Sequence, residues 1–243
     1  MGSCPDSAVM QRVPEPELMD GQAQVQAYAE ADFSVGDAAV VERLAALATT
    51  AGVELAAPGA LMADLGCGPG NISFRLVECY SEARVVGIDG APAMLQVAEQ
   101  RRLALGAAGA RLRFACHTLP CPALDQGELA GRCTALVSNS LLHHLHHPAV
   151  LWRTVRALAA PGAFVYLKDL RRPANAQAAR DLLALHLPEA PEVLQRDYLA
   201  SLHAAFTPGE VAAQLLEAGL NTLQVAPVVD RYLEVWGRLG SPI

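Results

Sequence analysis

Between residues 60 and 236, short apolar runs alternate with stretches of helical spacing. The runs at 60–65, 84–89, 111–115, 133–137 and 163–167 read as short strands. Residues 72–77 continue as a helix after the first run. So do Met94, Leu95, Val97, Ala98 and Leu103, and then Val150, Leu151, Thr154, Val155 and Leu158, with Pro92 suited to a first turn and Pro161-Gly162 acting as a stop. Thr207-Pro208-Gly209-Glu210 predicts a helix start, with Thr207 as cap and Glu210 three residues on, ending near Gly219. Two closing strands follow at 222–225 and 232–235. Ahead of the first strand, Val25, Tyr28, Ala29, Val40, Val41, Leu44 and Leu47 suit one or two helices, interrupted at Asp32 and at 34–37. This alternation predicts an α/β fold with a parallel, doubly wound sheet. Residues 1–16 are Pro-rich and polar and are expected to be poorly ordered. Residues 17–243 are expected to form a single domain. Segment 171–206 is too long for a plain connection, and we expect it to be an insertion walling the substrate site.

Composition narrows the class. The 243 residues suit one α/β domain, and 52% hydrophobic with 18% charged residues describes a compact protein. A net charge of −7 argues against broad nucleic-acid binding, which needs clustered Lys and Arg. The first residues lack the basic start and apolar core of a signal peptide, and Asp6 stands where a myristoylation start wants Ser or Thr. No apolar run approaches the roughly 20 residues that span a bilayer. The expectation is a cytoplasmic protein without membrane association. Six cysteines without a C-x-x-C pair fit buried thiols better than disulfides.

The chemistry concentrates in 61–71, where Asp64-Leu65-Gly66-Cys67-Gly68-Pro69-Gly70 joins the first strand to a helix. Glycine turns sharply and admits close backbone approach, so this turn builds a nucleotide-sized crevice at the strand's carboxyl end. Asn71 replaces the last Gly or Ala of a dinucleotide fingerprint. Asp89 ends the second strand, where its carboxylate can accept from vicinal ribose hydroxyls or cap the following helix.

These motifs resemble the class I S-adenosylmethionine-dependent methyltransferases, from about residue 28 to 236. The resemblance implies a Rossmann-like seven-stranded sheet, mostly parallel with one antiparallel strand, and helices on both faces. It also implies S-adenosyl-L-methionine as cofactor. Asp64 would hold the methionine part, Gly66, Cys67, Gly68 and Gly70 the loop, and Asp89 with Gly90 the ribose. Cys67 is read as packing in the turn. Tyr28, with Phe33 beside it, matches an aromatic that closes over the methionine end. The third strand lacks the acid many relatives use for the adenine and carries Cys116 and His117 instead, so His117 and backbone are the adenine candidates. Ser138-Asn139-Ser140 lines the reactive end without the Asn/Asp-Pro-Pro-aromatic motif of base-amine enzymes.

His143, His144 and Asp169 are candidates for removing a proton from an oxygen or sulfur acceptor. The run His143-His144-Leu145-His146-His147 invites a metal, but no completing ligand accompanies it and Pro148 breaks any helix there, so none is expected. Arg171 and Arg172, with Tyr198, are candidate substrate contacts, since guanidinium groups grip planar anions. The competing reading for the arginines is a salt bridge to Asp169 or Asp197. The function expected is methyl transfer to a small molecule, possible anions included. Its competitors are a tRNA wobble-uridine modifier, a non-catalytic cofactor-binding regulator and a nicotinamide oxidoreductase. Partners are a small-molecule acceptor and, as an option, a second copy in a homodimer.

Overall fold

The computed structural model describes residues 9–19 and 21–240. Its centre is a seven-stranded sheet in the order β3-β2-β1-β4-β5-β7-β6, built from β1 Leu61–Leu65, β2 Arg84–Asp89, β3 Leu112–Cys116, β4 Cys133–Asn139, β5 Ala159–Leu170, β6 Gln224–Val228 and β7 Tyr232–Arg238. Only β7 runs antiparallel, pairing with β5 and β6. The strand order reverses between β1 and β4, and a ligand crevice opens at such a switch point.

The pleat sorts β1 onto two cores. Leu61, Ala63 and Leu65 face one hydrophobic cluster while Met62 faces the other. Helix α2 (Ser34–Thr50) supplies Val40, Val41 and Leu44 to one face, with α3 (Asn71–Cys79) beside it through Ile72 and Leu76. The other face takes α6 (Ala149–Leu158) through Leu151, Trp152, Val155 and Leu158, a stripe at helical spacing. Trp152 is fully buried, and its indole N–H donates to Gln214 Oε1 at 2.9 Å, on α9 (Pro208–Glu217). Such a ring is tolerated inside because its one polar group is answered.

Helix α9 begins with the expected capping box, Thr207 and Glu210 bonding reciprocally. The remaining helices are α1 (Gln22–Glu30), α4 (Pro92–Ala104), the single turn α5 (Pro122–Asp125), α7 (Ala176–His186) and α8 (Glu192–Ala204). The long segment 171–206 is therefore two helices. Two local expectations give way. Gly36 and Asp37 lie inside α2 rather than interrupting it, because they sit in its first turn, where an acid favours the helix dipole. Pro161-Gly162 lies within β5, next to a register shift against β4.

The poorly ordered stretch expected to Pro16 also needs correction from Val9 onward. Met10 is buried in a cluster with Leu170, Ala179, Leu202 and Ala205. Arg12 donates to the carbonyls of Ala204 (2.6 Å), His143 (3.1 Å) and Leu145 (3.0 Å), and stacks on the Phe206 ring. An apolar anchor, an arginine and backbone bonds from Met10 N to Ala174 O and Val13 N to His203 O fasten this polar strap. Residues 1–8, with Cys4, lie outside the described part. No helix among the described residues is long and apolar enough to cross a membrane.

Candidate functional site

A cavity of about 470 Å³ opens at the carboxyl edge of the sheet, within the usual range for small-molecule sites. Its first half is built by backbone. Gly66 N and Cys67 N both donate to Ile88 O, at 2.8 and 3.1 Å, folding the loop over β2. Gly66 has φ +71°, and a Cβ there would stand 2.8 Å from the Leu141 side chain, so only glycine fits. Gly66, Cys67 and Gly68 line the cavity, whereas Gly70 turns the chain into α3 in the left-handed region.

Asp89 closes this loop. Its Oδ2 accepts from Gly68 N and its Oδ1 from Ala91 N, both at 2.8 Å. The bond to Ala91 N is a local turn contact, since α4 is entered through Ala91 without a side-chain cap, so the capping reading gives way while the carboxylate also lines the cavity. Gly90 lines the same end with Ala91, Met94, His117 and Thr118. The His117 ring lies 3.4 Å from Cys121 Sγ. Asp64 is buried and accepts from Ser73 Oγ at 2.6 Å; burial pushes its carboxyl up to about 7, partly opposed by that bond. Burial likewise raises the Cys67 thiol, which suits packing rather than nucleophilic attack. Tyr28 lines the cavity beside Phe33, ring centroids 5.8 Å apart, and Asn139 joins them from the end of β4.

The other half is built by side chains. A 3-10 turn, Leu142–His144, follows β4 and buries both imidazoles against the cavity. Asp169, near the end of β5, accepts at Oδ1 from His143 Nδ1 (2.5 Å) and at Oδ2 from Leu142 N (2.6 Å). Both of its oxygens are committed and it does not line the cavity, so Asp169 orients His143 rather than meeting a substrate. His143 Nε2 stands 3.5 Å from Glu15 Oε1, and the ring lines the cavity. Burial opposes charge on His143, but Asp169 and Glu15 outweigh it and raise its pKa. His144 is driven well below its ordinary value, first by burial and then by His143. Glu15, itself raised chiefly by burial, also accepts from Ser201 Oγ at 3.0 Å. Glu15, His143 and His144 offer ligand atoms within 4.8 Å of one another, a metal-compatible group that the histidine run alone did not reveal because Glu15 comes from the strap.

The two candidate arginines are corrected. Arg171 donates to Asp230 O (2.8 Å) and Val229 O (3.3 Å), and Arg172 pairs with Glu210 at 2.6 Å. Neither lines the cavity. Their partners are carbonyls and an acid contributed by later elements, rather than Asp169 or Asp197. Tyr198, by contrast, does line it, together with Lys168, Arg231 and Tyr232. Tyr198 Oη and the Nε and Nη1 atoms of Arg231 are buried without a hydrogen-bond partner. Arg231 was missed. It sits in the turn between the two closing strands, and pairing of Leu170 with Tyr232 puts that turn on the ligand-bearing edge.

Residues 63–165 match a family described as a methyltransferase domain. The chain is 41% identical over 116 residues to a trans-aconitate 2-methyltransferase of Methylobacterium nodulans, covering 45% of this chain and 38% of that one. It is 31% identical over 160 residues to a trans-aconitate 2-methyltransferase of Streptomyces coelicolor, covering 65% and 50%. The chain thus spans half or less of the length of these two relatives. A SAM-dependent methyltransferase from Aquifex aeolicus superposes with a TM-score of 0.60 at 16% identity, over 89% of this chain and 97% of that one.

Proposed function

We propose that the chain is a class I S-adenosylmethionine-dependent methyltransferase that methylates a small anionic acceptor, a reading supported by the methyltransferase-domain match and the shared fold. The observation that carries this reading is the Asp89 carboxylate, tied to Gly68 N and Ala91 N and facing the cavity. It is fixed for a vicinal diol, while the loop's bare backbone admits an adenosine-bearing ligand. Asp64, Asn139 and Tyr28 would surround the amino-acid end, and His117 and Thr118 the base. When bound, S-adenosylmethionine supplies an electrophilic methyl on sulfur.

The chain's own residues then position and deprotonate. His143 takes the acceptor's proton at Nε2 as Asp169 holds the ring through Nδ1. Helix α8, through Leu194, Tyr198 and Ser201, walls the acceptor side, the role we assign to 171–206. Burial of both halves excludes water and holds the reacting atoms in one geometry. The relatives' named substrate, a tricarboxylate, and the missing Asn-Pro-Pro motif at 138–140 support a small anion over a nucleic-acid amine.

Calorimetry with S-adenosylmethionine, S-adenosylhomocysteine and NAD tests the reading. The first two are expected to bind and NAD is not. Binding of NAD alone would overturn it.

A further inference from the structure

Among the described residues, the buried side-chain polar atoms without a partner are His144 Nδ1, Tyr198 Oη, and Nε and Nη1 of Arg231. Three of these four belong to Tyr198 and Arg231, both of which line the cavity. A buried donor without an acceptor is costly, more so when charged, so two unanswered guanidinium nitrogens and an unanswered phenol on one cavity lining call for an anion. We propose that Arg231 anchors a carboxylate of the acceptor, with the Tyr198 hydroxyl as second donor, so that the protein takes small carboxylic acids held by their far end. This rests on the methyltransferase reading and specifies its substrate class.

The anchor is held in place from several elements. Val229, ahead of it, adopts φ +46° in the turn between β6 and β7. Arg171 braces that turn: its N donates to Arg231 O at 2.8 Å, and its guanidinium donates to Asp230 O and Val229 O. His186 Nε2 meets Asp230 Oδ2 at 2.5 Å. The Arg231 guanidinium lies 4.9 Å from the Tyr232 ring centroid, and Lys168 Nζ lies 4.2 Å from the same ring. Glu234 and Asp37 act on the Lys168 charge, whereas Nε and Nη1 of Arg231 are buried without a hydrogen-bond partner.

Ligand class and direction follow. A guanidinium and one phenol match the two oxygens of a planar carboxylate better than the three of a phosphate. Leu170, Leu187 and Leu194 beside them suit an apolar body. Strand β7 lies three places from β1, roughly 14 Å at the usual strand spacing. The carboxylate on Arg231 is therefore an anchor remote from the glycine loop, and a different atom of the acceptor is methylated.

The test is titration of ¹⁵N-arginine-labelled protein, saturated with S-adenosylhomocysteine, by trans-aconitate, benzoate, benzamide and inorganic phosphate. The Arg231 Nε–H signal is identified by its loss in Arg231→Gln. At least one carboxylate is expected to shift it while benzamide and phosphate do not. Carboxylate binding should weaken at least tenfold in Arg231→Gln and about threefold in Tyr198→Phe, with S-adenosylhomocysteine affinity unchanged. Absence of a carboxylate shift, equal carboxylate binding by Arg231→Gln, or a shift by phosphate alone would overturn the anchor. Failure of S-adenosylhomocysteine to bind the unaltered protein would instead overturn the methyltransferase reading.

Discussion

The two halves of the cavity solve recognition differently. The half around Gly66, Gly68 and Asp89 uses backbone groups and one carboxylate, drawn from two adjacent strand ends. The half around His143, Tyr198 and Arg231 uses side chains from a 3-10 turn, a helix and a hairpin turn, with Glu15 of the strap against His143. Backbone recognition demands glycines at fixed spacing, so it is written locally. Side-chain recognition demands only that distant residues meet, and any local sequence that folds correctly can deliver them.

Variants that strike one half and spare the other break the comparison open. The largest effect is expected from Asp89→Ala, which removes a charged acceptor from a ribose and from two loop amides. S-adenosylhomocysteine binding should weaken about 100-fold, given about 1.5–3 kcal/mol per charged hydrogen bond. Calorimetry checks this, with carboxylate binding as the control that stays put.

Next is His143→Gln, expected to lower kcat by about 10²–10⁴ at unchanged donor affinity, the usual range for a general base. In the unaltered enzyme kcat/KM should rise with pH through a value above about 6.5, because Asp169 and Glu15 hold the imidazolium in place against burial. The stability sign runs opposite. A raised histidine stabilises the fold fully below about pH 6.5, and that contribution is lost as pH rises through the folded value. A pH–rate profile unchanged in the variant would remove His143 from the proton path.

Arg171→Ala should have a smaller effect. It loosens the turn bearing Arg231, so the acceptor KM should rise a few-fold while the donor Kd stays fixed, and steady-state kinetics separate the two. The smallest expected effect is none: dialysis against a chelator should leave turnover unchanged. Restoration of a lost activity by added zinc would turn Glu15, His143 and His144 into ligands.

The same asymmetry decides what could be read from sequence. Asp64, the loop glycines and Asp89 were legible because strand ends and glycines encode their own geometry. The seven-stranded sheet with one antiparallel strand followed the resemblance, and β2 matched residue for residue. Arg171 and Arg172 were assigned to the substrate because they leave β5 on the correct edge, yet Arg171 turns back to brace the hairpin and Arg172 turns to Glu210. Arg231 lay in an ordinary Asp-Arg-Tyr turn, with nothing nearby in sequence to mark it. Glu15 was hidden for another reason, since a polar, Pro-rich leader carries no periodicity and its order depends on Met10 and Arg12 finding partners far along the chain.

The strap has a kinetic consequence. Leu18 lies against Gly90 at the ribose end, and Glu15 stands over His143, while His146 holds the segment through Glu15 O and Glu17 Oε1, each at 2.7 Å. One short stretch of chain therefore touches both halves of the cavity. Ligand exchange in either half is expected to depend on the same fastenings, so that loosening them would speed both together.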